Sequence, residues 1–209
     1  MAAVTRFLLV RHGQSTWNAE RRWQGQADPP LSDHGRDQAI AATAKICAVD
    51  AIVSSPQIRA LDTAQVIAEG LGIGPIVLVP ELRERHAGPW SGLTVEEIEQ
   101  QYPGFLAEHR RPDGFEPDAE LIARTLPALE NLARRFRGQQ VLVLTHGGVI
   151  HNFEEHLGIT AWRVPNLCGR VATFRLAESE AGHLGTWEVG ESLELIESGS
   201  STGGDPDRV

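Results

Sequence analysis

The chain has 209 residues, a formal net charge of −9, 41% hydrophobic and 22% charged residues. That length supports one substantial core, the acidic balance argues against the broad basic surface that a nucleic-acid backbone requires, and no run of eighteen apolar residues is present to cross a membrane. Met1-Ala2-Ala3-Val4-Thr5-Arg6 leads straight into an apolar run without a signal-peptide pattern, so a cytoplasmic location is expected.

The first apolar run, Phe7-Leu8-Leu9-Val10, predicts a strand over 6–11 buried on both faces, ending at Arg11-His12-Gly13, where the glycine is expected to permit an unusual backbone turn. A helix is predicted to begin after Ser32, its N-cap, and to run toward Ile46. A strand over 51–54 leads to a second helix opening at Ser55-Pro56, with Ser55 as cap and Pro56 in the first helical position, which sets Arg59 in the first turn. A strand follows at 75–79. Thr94 with Glu97 forms a capping box for a short helix ending near Tyr102-Pro103, and a longer helix covers Ala119 to Phe136. Val141-Leu142-Val143-Leu144 lies in a strand over 140–145 that ends in Thr145-His146-Gly147-Gly148, followed by a helix to about Leu157, with Gly158 as its stop. Strands are predicted near 168–176 and 184–189. Residues 1–197 form one predicted domain and 198–209 a polar, disordered tail. Short apolar runs alternating with segments of helical period indicate an α/β layered fold.

The same strand-His-Gly ending thus occurs twice, at His12 and His146, with Arg11 beside the first. Active sites of open α/β sheets lie at such strand ends. Neutral imidazole is a nucleophile near pH 7 and a guanidinium makes planar, bidentate contacts with phosphate oxygens, so the combination points to phosphoryl transfer to a histidine. Cys47 and Cys168 match no metal or redox spacing and read as free, mostly buried thiols. His146, His151 and His156 recur every fifth residue, which turns successive side chains off one helix face, and no metal is expected. No P-loop or dinucleotide-binding glycine pattern occurs, and no cofactor is expected.

Several separated motifs resemble the histidine phosphatase superfamily, also called the phosphoglycerate mutase-like family. They are Arg11-His12-Gly13-Gln14-Ser15-Thr16-Trp17-Asn18; Arg22-Trp23-Gln24-Gly25-Gln26-Ala27-Asp28; Leu31-Ser32-Asp33-His34-Gly35-Arg36; Ser54-Ser55-Pro56 with Arg59-Ala60 and Thr63-Ala64; Leu82-Arg83-Glu84 with Gly88, Trp90 and Gly92; and Thr145-His146-Gly147-Gly148. The resemblance implies a three-layer α/β/α fold with a mostly parallel central sheet. It also implies His12 as nucleophile, Arg11, Arg59 and His146 as a clamp on phosphoryl oxygens, and Glu84 as the acid/base carboxylate. Asn18, Gln24, Gly25, His86 and Gly147 are the expected substrate-binding positions. Glu81 competes with Glu84, but the spacing to Gly88 favours Glu84. Trp17, Trp23 and Trp90 either wall the pocket or pack a core.

The function implied is a cofactor-independent phosphomonoesterase of the histidine acid phosphatase type. It would hydrolyse a small phosphorylated metabolite, a sugar phosphate or phosphoglycerate-type ester, through phosphohistidine. The alternatives are a phosphoglycerate mutase and a non-catalytic binder of phosphorylated ligands. Mutases of the family carry a longer, basic insertion between the acid and the second histidine. Here that interval is short and rich in Glu and Asp, which favours water as acceptor. Two departures stand out: Asp113-Gly114-Phe115-Glu116-Pro117-Asp118 where the phosphatase branch commonly has Gly-Glu-Ser before a helix, and Pro89 where an acidic residue is usual. Trp162, Val164 and Leu167 either form contacts in a homodimer or pack in the core.

Overall fold

The computed structural model describes residues 4–160, 163–176 and 185–196. Trp162, His183 and the predicted tail from Ser198 lie outside the described residues, as does the first position of the strand predicted at 184–189.

Alternation along the two His-bearing strands builds the layers. In β1 (Val4–Arg11), Phe7 and Leu9 face one side of the sheet while Leu8 and Val10 face the other; in β4 (Gln140–Thr145), Val141 and Val143 match the first pair and Leu142 and Leu144 the second. All eight are buried, so both sheet faces must be covered. Helices α2 (Asp33–Thr43) and α3 (Ile58–Leu71) cover the Leu8/Val10 face, burying Ala39, Ala42, Ala64 and Ile67. Helices α5 (Asp118–Arg135) and α6 (Gly147–His156) cover the other with Leu129, Leu132, Ile150 and Phe153. The result is the expected α/β/α sandwich.

Six strands run in the order β3-β2-β4-β1-β5-β6. β2 (Ala51–Ser54) and β3 (Val77–Leu78) pair in parallel with each other, as β2 does with β4 and β4 with β1, whereas β5 (Cys168–Leu176) and β6 (Gly185–Glu194) add an antiparallel edge. The registers Arg11↔Thr145 and Ser54↔Leu144 bring the C-terminal ends of β1, β4 and β2 side by side. That alignment sets His12, His146 and Ser55 at one rim.

Several boundaries differ from the sequence expectation. α2 stops at Thr43, three residues before Ile46, and the strand expected at 75–79 contracts to Val77–Leu78. A one-turn helix, α1 (Thr16–Ala19), is closed by a Ser15/Asn18 capping box, and β6 extends to Glu194. α3 begins at Ile58, so Ser55 and Pro56 precede it; Asp28 supplies the cap instead, its carboxylate accepting from the Ile58 N–H at 2.6 Å. Ser55 is thereby released for another partner. The capping box on α4 (Val95–Gln101) forms as expected, with Glu97 N–H donating to Thr94 Oγ1 at 3.2 Å and Thr94 N–H to Glu97 Oε2 at 2.8 Å.

Gly13 is needed for close approach rather than for an unusual turn. It does not have the left-handed φ of Gly25 (+52°), and a Cβ on it would lie 2.6 Å from the Gly35 carbonyl oxygen. Cys47 is exposed, contrary to expectation, while Cys168 is buried. Val164 and Leu167 are buried in the core and are not available to an interface. Among the described residues no helix is long and apolar enough to cross a membrane.

Candidate active site

His12 leaves the end of β1 with its backbone N–H donating to the Thr145 carbonyl at 3.0 Å, which ties it to the neighbouring strand. Its Nδ1 lies 2.6 Å from the Gly13 carbonyl oxygen. A carbonyl can only accept, so the proton sits on Nδ1 and the lone pair of Nε2 is presented to the site. Arg59 Nε–H donates to that Nε2 at 3.1 Å. The remaining Arg59 nitrogens are held by the loop before α2, Nη1 donating to the Ala27 carbonyl at 2.8 Å and Nη2 to the Gly25 carbonyl at 2.9 Å. Gly25 carries φ +52°, and a Cβ there would meet Ala87 at 2.7 Å, so the two loops approach too closely for any side chain.

His146 follows β4 and stands edge-on to His12, ring centroids 5.2 Å apart. Arg11 is buried; its Nη1 donates to the Val164 carbonyl at 2.9 Å, and Leu167 N–H donates to the Arg11 carbonyl at 3.0 Å. Asn166 Nδ2 donates to the His12 carbonyl at 2.9 Å. The segment before β5 thus braces both first-motif residues from the sheet side. Gly147 opens α6 against the Arg11 side chain, with ordinary contact distance for a Cβ.

Burial first, and then the Arg59 and Arg11 guanidiniums, push the His12 imidazole well below its usual pKa, with its bond to the Gly13 carbonyl opposing. Burial, Arg59, His12 and Arg11 do the same to His146. Both imidazoles are therefore neutral at physiological pH. In an unfolded chain each takes a proton near pH 6.5, so below that pH the unfolded state binds more protons than the folded one and stability falls as pH falls. The decline is expected to reach about 1.4 kcal/mol per pH unit for each histidine until the folded-state values are met. Urea midpoints measured from pH 7.5 down to 5.5 should drop more shallowly in a His146→Gln variant than in the wild type.

Glu84 is 5% exposed and sits past β3, after a 3₁₀ turn over Pro80–Leu82. Its Oε1 accepts from Arg85 N–H at 2.7 Å and its Oε2 from Gly148 N–H at 3.1 Å, at the start of α6. Glu81 is exposed, whereas Glu84 is buried beside the start of α6. Three residues that the sequence did not single out fix its peptide. Gln57 Oε1 accepts from Glu84 N–H at 2.6 Å, and Gln57 Nε2 donates to the same Gly25 and Ala27 carbonyls that hold Arg59. Gln26 Nε2 donates to the Glu84 carbonyl at 3.2 Å. Arg124, on α5, donates all five of its N–H groups: to the Glu81, Arg83 and Glu84 carbonyls and, in two bonds, to the Glu116 carboxylate. Glu116 therefore keeps a defined place although Pro117 leaves α5 without a side-chain cap.

The other expected substrate positions fare unevenly. Gly25 borders a small cleft beside Glu84, also lined by Trp23, Arg85, Ala87, Phe115 and Gly148. Trp23 is thus wall as well as core, and Trp90 is core alone, fully buried in a small cluster with Ile98 and Phe115. Asn18 Oδ1 accepts from Ser15 N–H at 3.1 Å as part of the α1 cap, so only the donor end of its amide suits a phosphoryl oxygen. Gln24 is wholly buried, its Oε1 accepting from Ser15 Oγ at 2.6 Å, and it supports the α1 turn from behind. His86 is exposed and outside the cleft lining; its Nδ1 accepts from Gly88 N–H at 3.0 Å within its own turn.

A doubly wound sheet with two neutral histidines and two buried arginines at the C-terminal rim defines a phosphoryl-handling class, and the chain belongs to the histidine phosphatase superfamily (branch 1), whose family profile matches residues 7–183. It is 38% identical over 157 residues to the metal-independent phosphoserine phosphatase of Arabidopsis thaliana, covering 70% of this chain and 66% of that protein, just under two thirds of its length. It is 36% identical over 210 residues to the glucosyl-3-phosphoglycerate phosphatase of Mycobacterium tuberculosis, covering 91% of this chain and 90% of that one. The native structure of a mycobacterial glucosyl-3-phosphoglycerate phosphatase superposes with a TM-score of 0.76 at 28% identity, over 89% of this chain and 98% of that one.

Proposed function

We propose that the chain is a metal-independent phosphoric monoester hydrolase that acts on a small organic phosphate, a sugar phosphate or phosphoglycerate-type ester, through phospho-His12. The observation that carries this reading is the orientation of His12: Nδ1–H is spent on the Gly13 carbonyl, and Nε2 holds a lone pair against Arg59. An arriving phosphoryl group takes over the Arg59 Nε–H, with Arg11, His146 and the Asn18 amide as further donors, and the freed Nε2 pair attacks phosphorus. The N–P bond forms as the P–O bond to the alcohol breaks, and the leaving alkoxide takes its proton from Glu84. Glu84, now ionised, accepts a proton from water, whose oxygen attacks phosphorus as the N–P bond breaks and the electron pair returns to Nε2. Nδ1–H stays on Gly13 throughout. Trp23, Ala87 and Phe115 offer the leaving alcohol an apolar wall. The relatives named for phosphoserine and glucosyl-3-phosphoglycerate phosphatase activity support ester hydrolysis.

Phosphate release from sugar phosphates, phosphoglycerates, nucleotides and p-nitrophenyl phosphate, assayed with EDTA and with mutase product followed in parallel, tests the reading. EDTA-resistant release selective for one ester is expected. Isomerised phosphoglycerate in its place would assign a mutase, and binding of esters without turnover would assign a ligand-binding protein.

Gly148 offers a way to move Glu84 without altering it. A Cβ on Gly148 would lie 2.4 Å from Glu84 Oε1, the mobile end of a side chain, so Gly148→Ala should fold normally and displace the carboxylate. Hydrolysis of alkyl phosphates is expected to fall about 10- to 100-fold with an unchanged thermal midpoint. Unaltered rates would show that the carboxylate position is not critical.

A further inference from the structure

The mechanism needs a donor from His146, yet a neutral imidazole has a single N–H and the ring alone does not determine which nitrogen carries it. His146 Nε2 lies 2.8 Å from Ser55 Oγ. His146 Nδ1 is buried and has no hydrogen-bond partner among the described residues, in a ring set edge-on to the nucleophile. Buried polar atoms are normally paired, so an orphan at this place is the atom a ligand would satisfy.

The hydroxyl of Ser55 resolves the choice. Ser55 is wholly buried, its backbone N–H donates to the Leu144 carbonyl at 2.9 Å, and its carbonyl accepts from Ser54 Oγ at 2.8 Å, so the residue is locked at the end of β2. Ser55 Oγ accepts from Gln57 N–H at 3.3 Å, and among the described residues its own proton has one acceptor within reach, His146 Nε2. In the opposite arrangement, with Nε2–H donating to Oγ, the Ser55 proton would be buried without an acceptor and Nδ1 would turn a lone pair on the incoming anion. Both are unfavourable.

We infer that Ser55 is a positioning residue that donates to His146 Nε2, holds His146 as its Nδ1–H tautomer, and so aims one N–H at the phosphoryl oxygens. The two histidines then share one tautomer for opposite purposes. In His12 the Nδ1 proton is tied to a carbonyl so that Nε2 can attack; in His146 Nε2 is tied to a hydroxyl so that Nδ1–H can donate. The low proton affinity of both rings is in keeping with this, since a doubly protonated His146 would need no tautomer control.

The catalytic consequence rests on the phosphatase reading, whereas the tautomer is read in the resting protein and needs no turnover. Long-range ¹H–¹⁵N correlation spectra of ¹⁵N-histidine-labelled protein, assigned with a His146→Gln variant, report which nitrogen of His146 is protonated. The expected result is a protonated Nδ1 and a hydrogen-bonded, unprotonated Nε2 in the wild type, with this pattern lost in Ser55→Ala and restored in Ser55→Thr. Protonated Nε2 in the wild type, or an unchanged spectrum in Ser55→Ala, overturns the assignment. In the kinetic arm, Ser55→Ala should lower kcat roughly 10- to 100-fold with a smaller change in KM, because the donor matters most as phosphoryl charge shifts, and Ser55→Thr should recover most of the loss. A rise in KM at unchanged kcat would contradict the role.

Discussion

His12→Ala is expected to lower phosphate release by at least about 10⁴-fold in a protein that remains folded. No neighbouring group can replace it. His12 Nε2 lies against the Arg59 Nε–H, whereas His146 Nε2 is held at Ser55 and Glu84 is anchored by the Arg85 and Gly148 N–H groups. The substitution removes a desolvated imidazole from a buried site together with its bonds to the Gly13 carbonyl and the Arg59 Nε–H, opposing effects that leave the core layers untouched. Phosphate release read alongside circular dichroism and a thermal midpoint checks this, and near-wild-type turnover by a folded variant would remove His12 as nucleophile.

Glu84→Gln should divide substrates by their leaving groups. Alkyl alcohols leave as strongly basic alkoxides and need a proton, so kcat/KM for sugar phosphates is expected to fall about 10²- to 10³-fold, while p-nitrophenyl phosphate, whose phenolate leaves unaided, should stay within about tenfold. Because kcat/KM covers only the steps up to transfer onto His12, the later attack of water is read in kcat instead. Without a carboxylate to take the proton of water, kcat should fall for both esters, and p-nitrophenolate should appear as a burst of about one equivalent per site. The amide is a close but imperfect replacement: its NH2 would face either the Arg85 or the Gly148 N–H, both donors, so the thermal midpoint should fall slightly. Equal losses in kcat/KM for the two ester types would exclude Glu84 as the general acid.

The legible part of this protein was whatever the chain writes locally. Strand-terminal Arg11-His12-Gly13 and Thr145-His146-Gly147 carry their chemistry in adjacent residues, and a parallel register then aligns them, so the site's position followed from two apolar runs. Capping at Ser32 and at Thr94 with Glu97 was equally local, and both caps form. What escaped was long-range. Ser55-Pro56 has the form of a helix start, but the distant Asp28 caps α3 and the hydroxyl turns to His146. Arg124 and Glu116 stand eight positions apart across the start of α5 with no motif to mark them, yet together they anchor the backbone that presents Glu84. Gln57 occupies an unremarkable place in a helix approach and still links Glu84 to the loop that holds Arg59. Such residues act through backbone carbonyls and amides, whose positions exist only once the chain has folded. The choice between interface and core for Val164 and Leu167 stayed open for the same reason, since an apolar residue in a loop carries no local sign of the core that the loop closes over, and both are buried there.

The most direct measurement is capture of the intermediate. Wild-type and Glu84→Gln protein would be mixed with p-nitrophenyl phosphate in the presence of EDTA, quenched into alkali within the burst, and examined by peptide mass spectrometry and ³¹P NMR. The expected result is one alkali-stable, acid-labile phosphoryl group on Nε2 of His12, accumulating further in Glu84→Gln and absent from His12→Ala. Turnover without any phosphoenzyme, or label on a residue other than His12, would contradict the covalent path.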